Sequence, residues 1–285
     1  MATYYAIGTN TFRADDQVGN GKDTIYGDDA ANTIYGGFER DNILGRGVND
    51  SLYGDSFGDT IYGGTGDDML DGGDESTTII GDYLYGEEGS DSIWGGAGKD
   101  YIYGGPGNDS MLAGEEDDDF IQGDDGHDYI WGAWGNDTIY GDEPTGALTG
   151  DDQLRGGDGN DKLYGGPGLD VLQGEVGVDT LTGGPGADKF TFAAVNVSNP
   201  STPDVITDFS QAVGQADLID LSSIDLSRAF TFVGQGSFVN DGVMRVRWFQ
   251  SGTDTFVQAD TGDGVADLGI KLTGNYILSA SDFVL

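Results

Sequence analysis

Gly63-Gly64-Thr65-Gly66-Asp67-Asp68-Met69-Leu70-Asp71 carries the plan of most of the chain in nine residues. Gly95-Gly96-Ala97-Gly98-Lys99-Asp100-Tyr101-Ile102-Tyr103 and Gly156-Gly157-Asp158-Gly159-Asn160-Asp161-Lys162-Leu163-Tyr164 repeat it. The shared pattern is Gly-Gly-x-Gly-x-Asp-x-U-x, where U is a bulky apolar residue, and a fixed short period of this kind marks stacked repeats. Six positions rich in Gly and Asp suit a tight turn with left-handed backbone. The other three, such as Thr24-Ile25-Tyr26 or Thr138-Ile139-Tyr140, are β-branched or aromatic around one apolar residue, which predicts a minimal strand with one side chain facing inward. Two units then make one coil of eighteen residues, with a strand on each of two walls.

Followed along the chain, the sixth position reads Asp23, Asn32, Asp41, Asp50, Asp59, Asp68, Asp82, Asp91, Asp100, Asp109, Asp119, Asp128, Asp137, Asp152, Asp161, Asp170, Asp179 and Asp188, eighteen copies over residues 18–191. The register is interrupted around Asp74 to Ile80, by one residue near Ala113, and around Glu143 to Thr149. Each time the next Asp and apolar residue return in phase, as expected of loops that bulge from a regular stack. The expected inward rows are Ile25, Ile43, Ile61, Leu84 and Ile102 on one wall and Ile34, Leu52, Leu70, Ile93 and Met111 on the other.

Composition narrows the chemistry. The 285 residues include 52 glycines, 51 acidic and 12 basic residues, for a formal net charge of −39, which excludes nucleic acid as a partner. Chains this acidic and poor in apolar residues approach the disordered regime unless a cation neutralises them. With no cysteine and a single histidine, His127, thiolate zinc sites and the two-histidine zinc peptidase motif are excluded. No apolar run approaches the ~20 residues of a membrane span, and the first residues lack the features of a cleaved signal peptide.

Stacking would set Asp23, Asp41 and Asp59 along one edge and Asp50, Asp68 and Asp91 along the other, at the ~4.8 Å spacing of neighbouring strands. That is strongly repulsive without counter-ions. Carboxylates from two coils together with turn carbonyls offer the six to eight hard oxygens that calcium takes, whereas magnesium demands a smaller octahedron and keeps its waters. If each ion bridges one unit and the next but one, there are about 16 sites at most, or roughly +32 of charge. Asn32 and the interruptions should weaken some of them.

On these residues the chain resembles the RTX, or hemolysin-type calcium-binding, family. The resemblance implies an all-β fold, a right-handed parallel β-roll (a β-solenoid of stacked nonapeptide repeats). It implies side-chain calcium ligands at the sixth-position aspartates Asp23, Asp41, Asp50, Asp59, Asp68, Asp82, Asp91, Asp100, Asp109, Asp119, Asp128, Asp137, Asp152, Asp161, Asp170 and Asp179. Turn carbonyls of Gly63, Gly66, Gly95, Gly98, Gly104, Gly107, Gly156, Gly159, Gly165 and Gly168 complete the implied set. The expected behaviour is a chain that stays unfolded where calcium is scarce and folds outside the cell.

The expected organisation is an N-terminal cap at 1–17, the repeats at 18–191 and a C-terminal β capping domain at 192–285, entered through the turn-rich stretch Asn196 to Pro203. Val243 to Trp248, Thr255 to Gln258 and Leu268 to Leu272 are predicted strands that close the open end of the solenoid. This tail resembles the C-terminal domain of serralysin-type secreted proteins through Asp204-Val205-Ile206-Thr207-Asp208-Phe209, Asp217-Leu218-Ile219-Asp220-Leu221-Ser222, Asp260-Thr261-Gly262-Asp263-Gly264-Val265-Ala266-Asp267 and Asp282-Phe283-Val284-Leu285. That resemblance implies an uncleaved signal for type I secretion machinery in the last four residues. Asp260 to Asp267 reads either as a further calcium loop or as a hairpin turn, and Gly262 and Gly264 depart from EF-hand spacing.

The ninth position is often aromatic: Tyr26, Tyr62, Tyr85, Tyr103, Tyr140 and Tyr164 on one wall, Tyr35, Tyr53, Trp94 and Trp131 on the other. Such rows serve either cross-strand packing or stacking on sugar rings. His127 stands at a turn position and is expected to be solvated. The leading function is a secreted calcium-binding module with a structural, adhesion or secretion-folding role. A polysaccharide-binding accessory module is the alternative, and an enzyme is not expected.

Overall fold

The computed structural model describes residues 3–7, 11–13, 22–74, 80–143, 149–195, 197–224 and 227–285. Most of the insertions expected around Asp74 to Ile80 and around Glu143 to Thr149, and most of the cap expected at 1–17, lie outside these residues. The chain divides into two compact units, Met1–Gly150 and Asp151–Leu285.

In the first unit successive strands alternate between two parallel sheets. One wall carries Thr24–Tyr26, Asn42–Gly47, Thr60–Thr65, Tyr83–Glu88, Tyr101–Tyr103, Phe120–Gln122 and Thr138–Tyr140. The other carries Thr33–Gly37, Ser51–Asp55, Met69–Asp74, Ser92–Ala97, Met111–Glu116 and Tyr129–Trp134. Thr3–Tyr5 and Thr11–Arg13 add a parallel strand to each. The register stacks Ile25 on Ile43, Ile61, Leu84 and Ile102, as the period requires. Each is fully buried, and burying one such aliphatic side chain contributes about 2–3 kcal/mol.

The second wall corrects one expected position. Ile93 pairs with Leu112, which is fully buried, whereas Met111 pairs with Ser92 and is only half-buried. The Ser110 N–H still donates to the Asp91 carbonyl, so the extra residue is taken up between Asp109 and Leu112, ahead of the inward position. A bulge at the strand entrance costs one local pairing. A shift further along would turn every later side chain to the wrong face.

Parallel sheets are usually covered on both faces. Here aromatic rows partly cover the outer face. Tyr62, Tyr85 and Tyr103 stack in sequence at 4.8 and 5.1 Å, Tyr35 stacks on Tyr53 at 4.6 Å, and Tyr83 on Tyr101 at 4.8 Å, with planes within 10° of parallel. Arg13 lies over the Tyr35 ring at 3.8 Å.

The second unit continues the same construction with Gln153–Asp158, Val171–Val176 and Lys189–Thr191 on one wall and Lys162–Tyr164 and Thr180–Thr182 on the other. Parallel pairing runs on past residue 192: Asp204–Ile206 joins Thr180–Thr182, and Leu218–Asp220 joins Lys189–Thr191. Phe283–Val284 then pairs with Leu218–Asp220, and Leu268–Leu272 with Asp204–Ile206. From there the sheet turns antiparallel through Asp254–Asp260 and Arg245–Ser251.

Candidate metal centre

Each turn is a run of backbone that only a few residue types tolerate. In the turn before Asp68, Gly64 and Gly66 stand at φ 116° and 124°. Where the glycines are missing the conformation persists: Arg46 and Val48 occupy the equivalent places at φ 89° and 59°. The backbone there is set by the stack rather than by local preference.

That backbone aims the sixth-position side chain inward along the turn edge. The Asp23 N–H donates to Oδ1 of Asp41 (2.7 Å), Asp41 to Asp59 (2.6 Å), Asp82 to Asp100 (2.6 Å), Asp100 to Asp119 and Asp119 to Asp137 (2.8 Å each). The opposite edge runs from the N–H of Asn32 to Asp50 (2.6 Å), then Asp68, Asp91, Asp109 and Asp128. In the second unit the rungs are Asp152, Asp170, Asp188 and Asp217 on one edge and Asp161, Asp179 and Asp204 on the other. Every rung from Asp41 onward is buried, while Asp23 is half-buried.

One carboxylate oxygen is thus occupied by the backbone, and the other decides the chemistry. Among the described residues, Oδ2 of Asp50, Asp68, Asp91, Asp109, Asp119, Asp179, Asp188 and Asp204 is buried and accepts no hydrogen bond. An unsatisfied buried carboxylate oxygen is among the costliest groups a fold can hold. Burial pushes these acids up, to about 6 for Asp50, Asp91 and Asp179, about 7 for Asp68, Asp109 and Asp188, about 8 for Asp204 and about 9 for Asp119. Neighbouring carboxylates add to the rise at Asp68 and Asp119.

Turn carbonyls lie beside some of the same oxygens. A methyl group built on Gly45 would stand 2.5 Å from both Oδ2 of Asp50 and the carbonyl oxygen of Gly63. The carbonyls of Gly95 and Gly104 meet Asp82 and Asp91 in the same way, at Gly72 and Gly86. The carbonyls of Gly66, Gly107, Gly159 and Gly168 come against Gly89, Gly126, Gly177 and Gly186 of the following coil. Gly156 and Gly165 flank Oδ2 of Asp161 and Asp170, and Gly98 adopts φ 124° in the turn before Asp100. Anionic and carbonyl oxygens packed together fit a hard divalent cation, and the all-oxygen donor set suits calcium.

Asp204 and Asp217 extend the two edges beyond the eighteen copies read from the sequence. Their spacing of 25 and 29 residues from the preceding rung hides them from a nine-residue period. The signal that could have found them is Asp before an apolar pair, as in Asp204-Val205-Ile206 and Asp217-Leu218-Ile219. At Asp217 the protein itself supplies what the inner rungs lack, since the Ser210 N–H donates to its Oδ2 (2.7 Å). His127 is exposed, its N–H donating to Oδ1 of Asn108 (3.0 Å). Asn32 folds its amide back on its own turn, accepting from the Asp28 N–H (2.9 Å).

The RTX calcium-binding nonapeptide repeat matches residues 17–52, 44–79, 80–111, 113–143, 147–172 and 164–194. Solved structures similar to the chain include two subunits of the Azotobacter vinelandii mannuronan C5-epimerase. The AlgE6R3 subunit is 30% identical over 60% of this chain and 80% of its own (TM-score 0.35). The AlgE6R2 subunit is 30% identical over 57% and 91% (TM-score 0.32). Comparison with curated proteins gave no match. The repeats fill more than half of the sequence, and the chain belongs to the family of RTX calcium-binding nonapeptide-repeat proteins.

Proposed function

We propose that this protein is a secreted module that folds on binding calcium, and that the sixth-position aspartates and turn glycines named above are its ligands. The observation that carries the reading is the row of buried carboxylate oxygens that accept no hydrogen bond. Bound calcium supplies the positive charge there. The aspartates hold it through Oδ2 while Oδ1 keeps the adjacent coil in register, so one side chain couples ion binding to stacking. About 16 ions is the upper expectation for the eighteen repeat units. Residues 192–285 serve as the closing element, and type I secretion machinery is the proposed export route, with folding deferred to calcium-rich surroundings.

The tyrosine rows support cross-strand packing rather than a sugar platform, because the stacked rings already cover each other's faces. Equilibrium dialysis of the full chain against labelled calcium tests the main reading. Ten or more ions per chain, with little displacement by magnesium, is the expected result. One or two ions, or equal affinity for magnesium, would overturn it.

A further inference from the structure

Residues 261–267 join the antiparallel strands Asp254–Asp260 and Leu268–Leu272, outside the matched repeats. Among the described residues, this loop holds the one group of three or more acidic, histidine or cysteine side chains whose ligand atoms all lie within 4.8 Å of one another: Asp260, Asp263 and Asp267. Two oxygens on one calcium, each 2.3–2.6 Å from it, can stand no more than about 5 Å apart, so three such atoms can share an ion.

Proximity of acids alone would prove nothing, and Asp260 adds the second observation. It is fully buried at the end of its strand. Its Oδ1 accepts the N–H groups of Gly262 (2.8 Å) and Gly264 (3.1 Å), and its Oδ2 accepts nothing. Arg245, opposite Asp260 in the antiparallel register, is near enough to feel its charge but gives its hydrogen bonds to Asp241 in a two-pronged pair (2.7 Å for each contact) and to backbone carbonyls. The partners are held ready. Oδ2 of Asp267 accepts the N–H (2.8 Å) and hydroxyl (2.7 Å) of Thr261, and Oδ1 of Asp263 accepts the Val265 N–H (2.8 Å). Asp263 is exposed and Asp267 half-buried, so the group runs from a buried anion to the solvent and leaves an entry path.

We propose that Asp260, Asp263 and Asp267 bind one divalent cation, calcium by their oxygen chemistry, at a site separate from the repeat turns. The loop is then a hairpin connection and a metal site at once. Unlike the turn sites it draws on a single segment and needs no second coil.

Two measurements on the full chain test this. Anomalous diffraction from crystals grown with calcium should show a peak among the three carboxylates. Hydrogen exchange read by mass spectrometry should show residues 261–267 gaining protection with calcium, at a midpoint about tenfold higher in Asp263→Asn, because one of three charged ligands is lost. The repeat peptides should keep their midpoint. Asp263 is exposed, so this variant folds even if Asp260→Asn does not. Peaks in the turns with none in the loop, or identical loop midpoints in parent and variant, would overturn the site and leave the turn sites standing. A peak in the loop alone would do the reverse.

Discussion

Val48 shows how firmly the stack dictates its residues. A β-branched side chain at φ 59° is an unfavourable choice, and its side chain is largely exposed, so little packing offsets the strain. Val48→Gly is expected to raise stability by about 1 kcal/mol in chemical denaturation with calcium present. An unchanged or lowered midpoint would mean the turn is shaped otherwise. The opposite case is Gly45, where a methyl group would press on Asp50 and the Gly63 carbonyl. Gly45→Ala should lower the melting temperature and remove bound calcium, the first read by scanning calorimetry and the second by calorimetric titration. Among single residues the sequence disclosed a great deal. The aspartates, the inward aliphatics and the turn glycines announce themselves by residue type. What it did not disclose is the division of labour inside one carboxylate, with Oδ1 on the backbone and Oδ2 left over, because that depends on a neighbour 18 residues away.

Strands of three to six residues have almost no independent stability, so each depends on its rung being filled. Leu112→Ala should therefore cost about 2–5 kcal/mol, while Met111→Ala, outside the inward row, should cost under about 1 kcal/mol. The reverse order in urea denaturation would restore Met111 to the core. Reading from sequence placed the additional residue near Ala113 because the period says only that a residue is extra, not where the backbone absorbs it. The backbone takes it up between Asp109 and Leu112 while the Ser110 N–H keeps its regular bond to Asp91, which no pattern of residue types reveals. The later strands were legible as strands: Arg245–Ser251, Asp254–Asp260 and Leu268–Leu272 overlap the alternating runs. Their antiparallel order was not, since alternation fixes faces and leaves partners open.

Across the whole molecule, the acidic residues outnumber the basic ones, 51 to 12. Without metal, burial in the folded chain pushes Asp50, Asp68, Asp91, Asp109, Asp119, Asp179, Asp188 and Asp204 up to between about 6 and 9, against an ordinary value of 3.8. The folded state thus binds more protons than the unfolded one. The stabilisation this brings is complete below pH ~4 and is lost as pH rises through that range. With a chelator present, lowering the pH from 8 to 5 should shift the expanded chain towards the compact, β-rich state, read by far-UV circular dichroism. With calcium present, the same change should weaken calcium binding, as protons compete for the same oxygens. A chelated chain with the same spectrum from pH 5 to 8 would contradict the first expectation, and an unchanged calcium affinity over that range would contradict the second. The charge of −39 read from composition anticipated the need for cations. It could not tell exposed carboxylates from buried ones, and only the buried ones impose it.

Whether calcium drives folding is decided by far-UV circular dichroism with hydrodynamic radius, on the full chain stripped by a chelator at neutral pH and then titrated with calcium. The expected course is an expanded chain of low β content that becomes compact and β-rich over a narrow calcium range. A stripped chain with the same radius and spectrum as the calcium-loaded one would show that the coils stack without the ion.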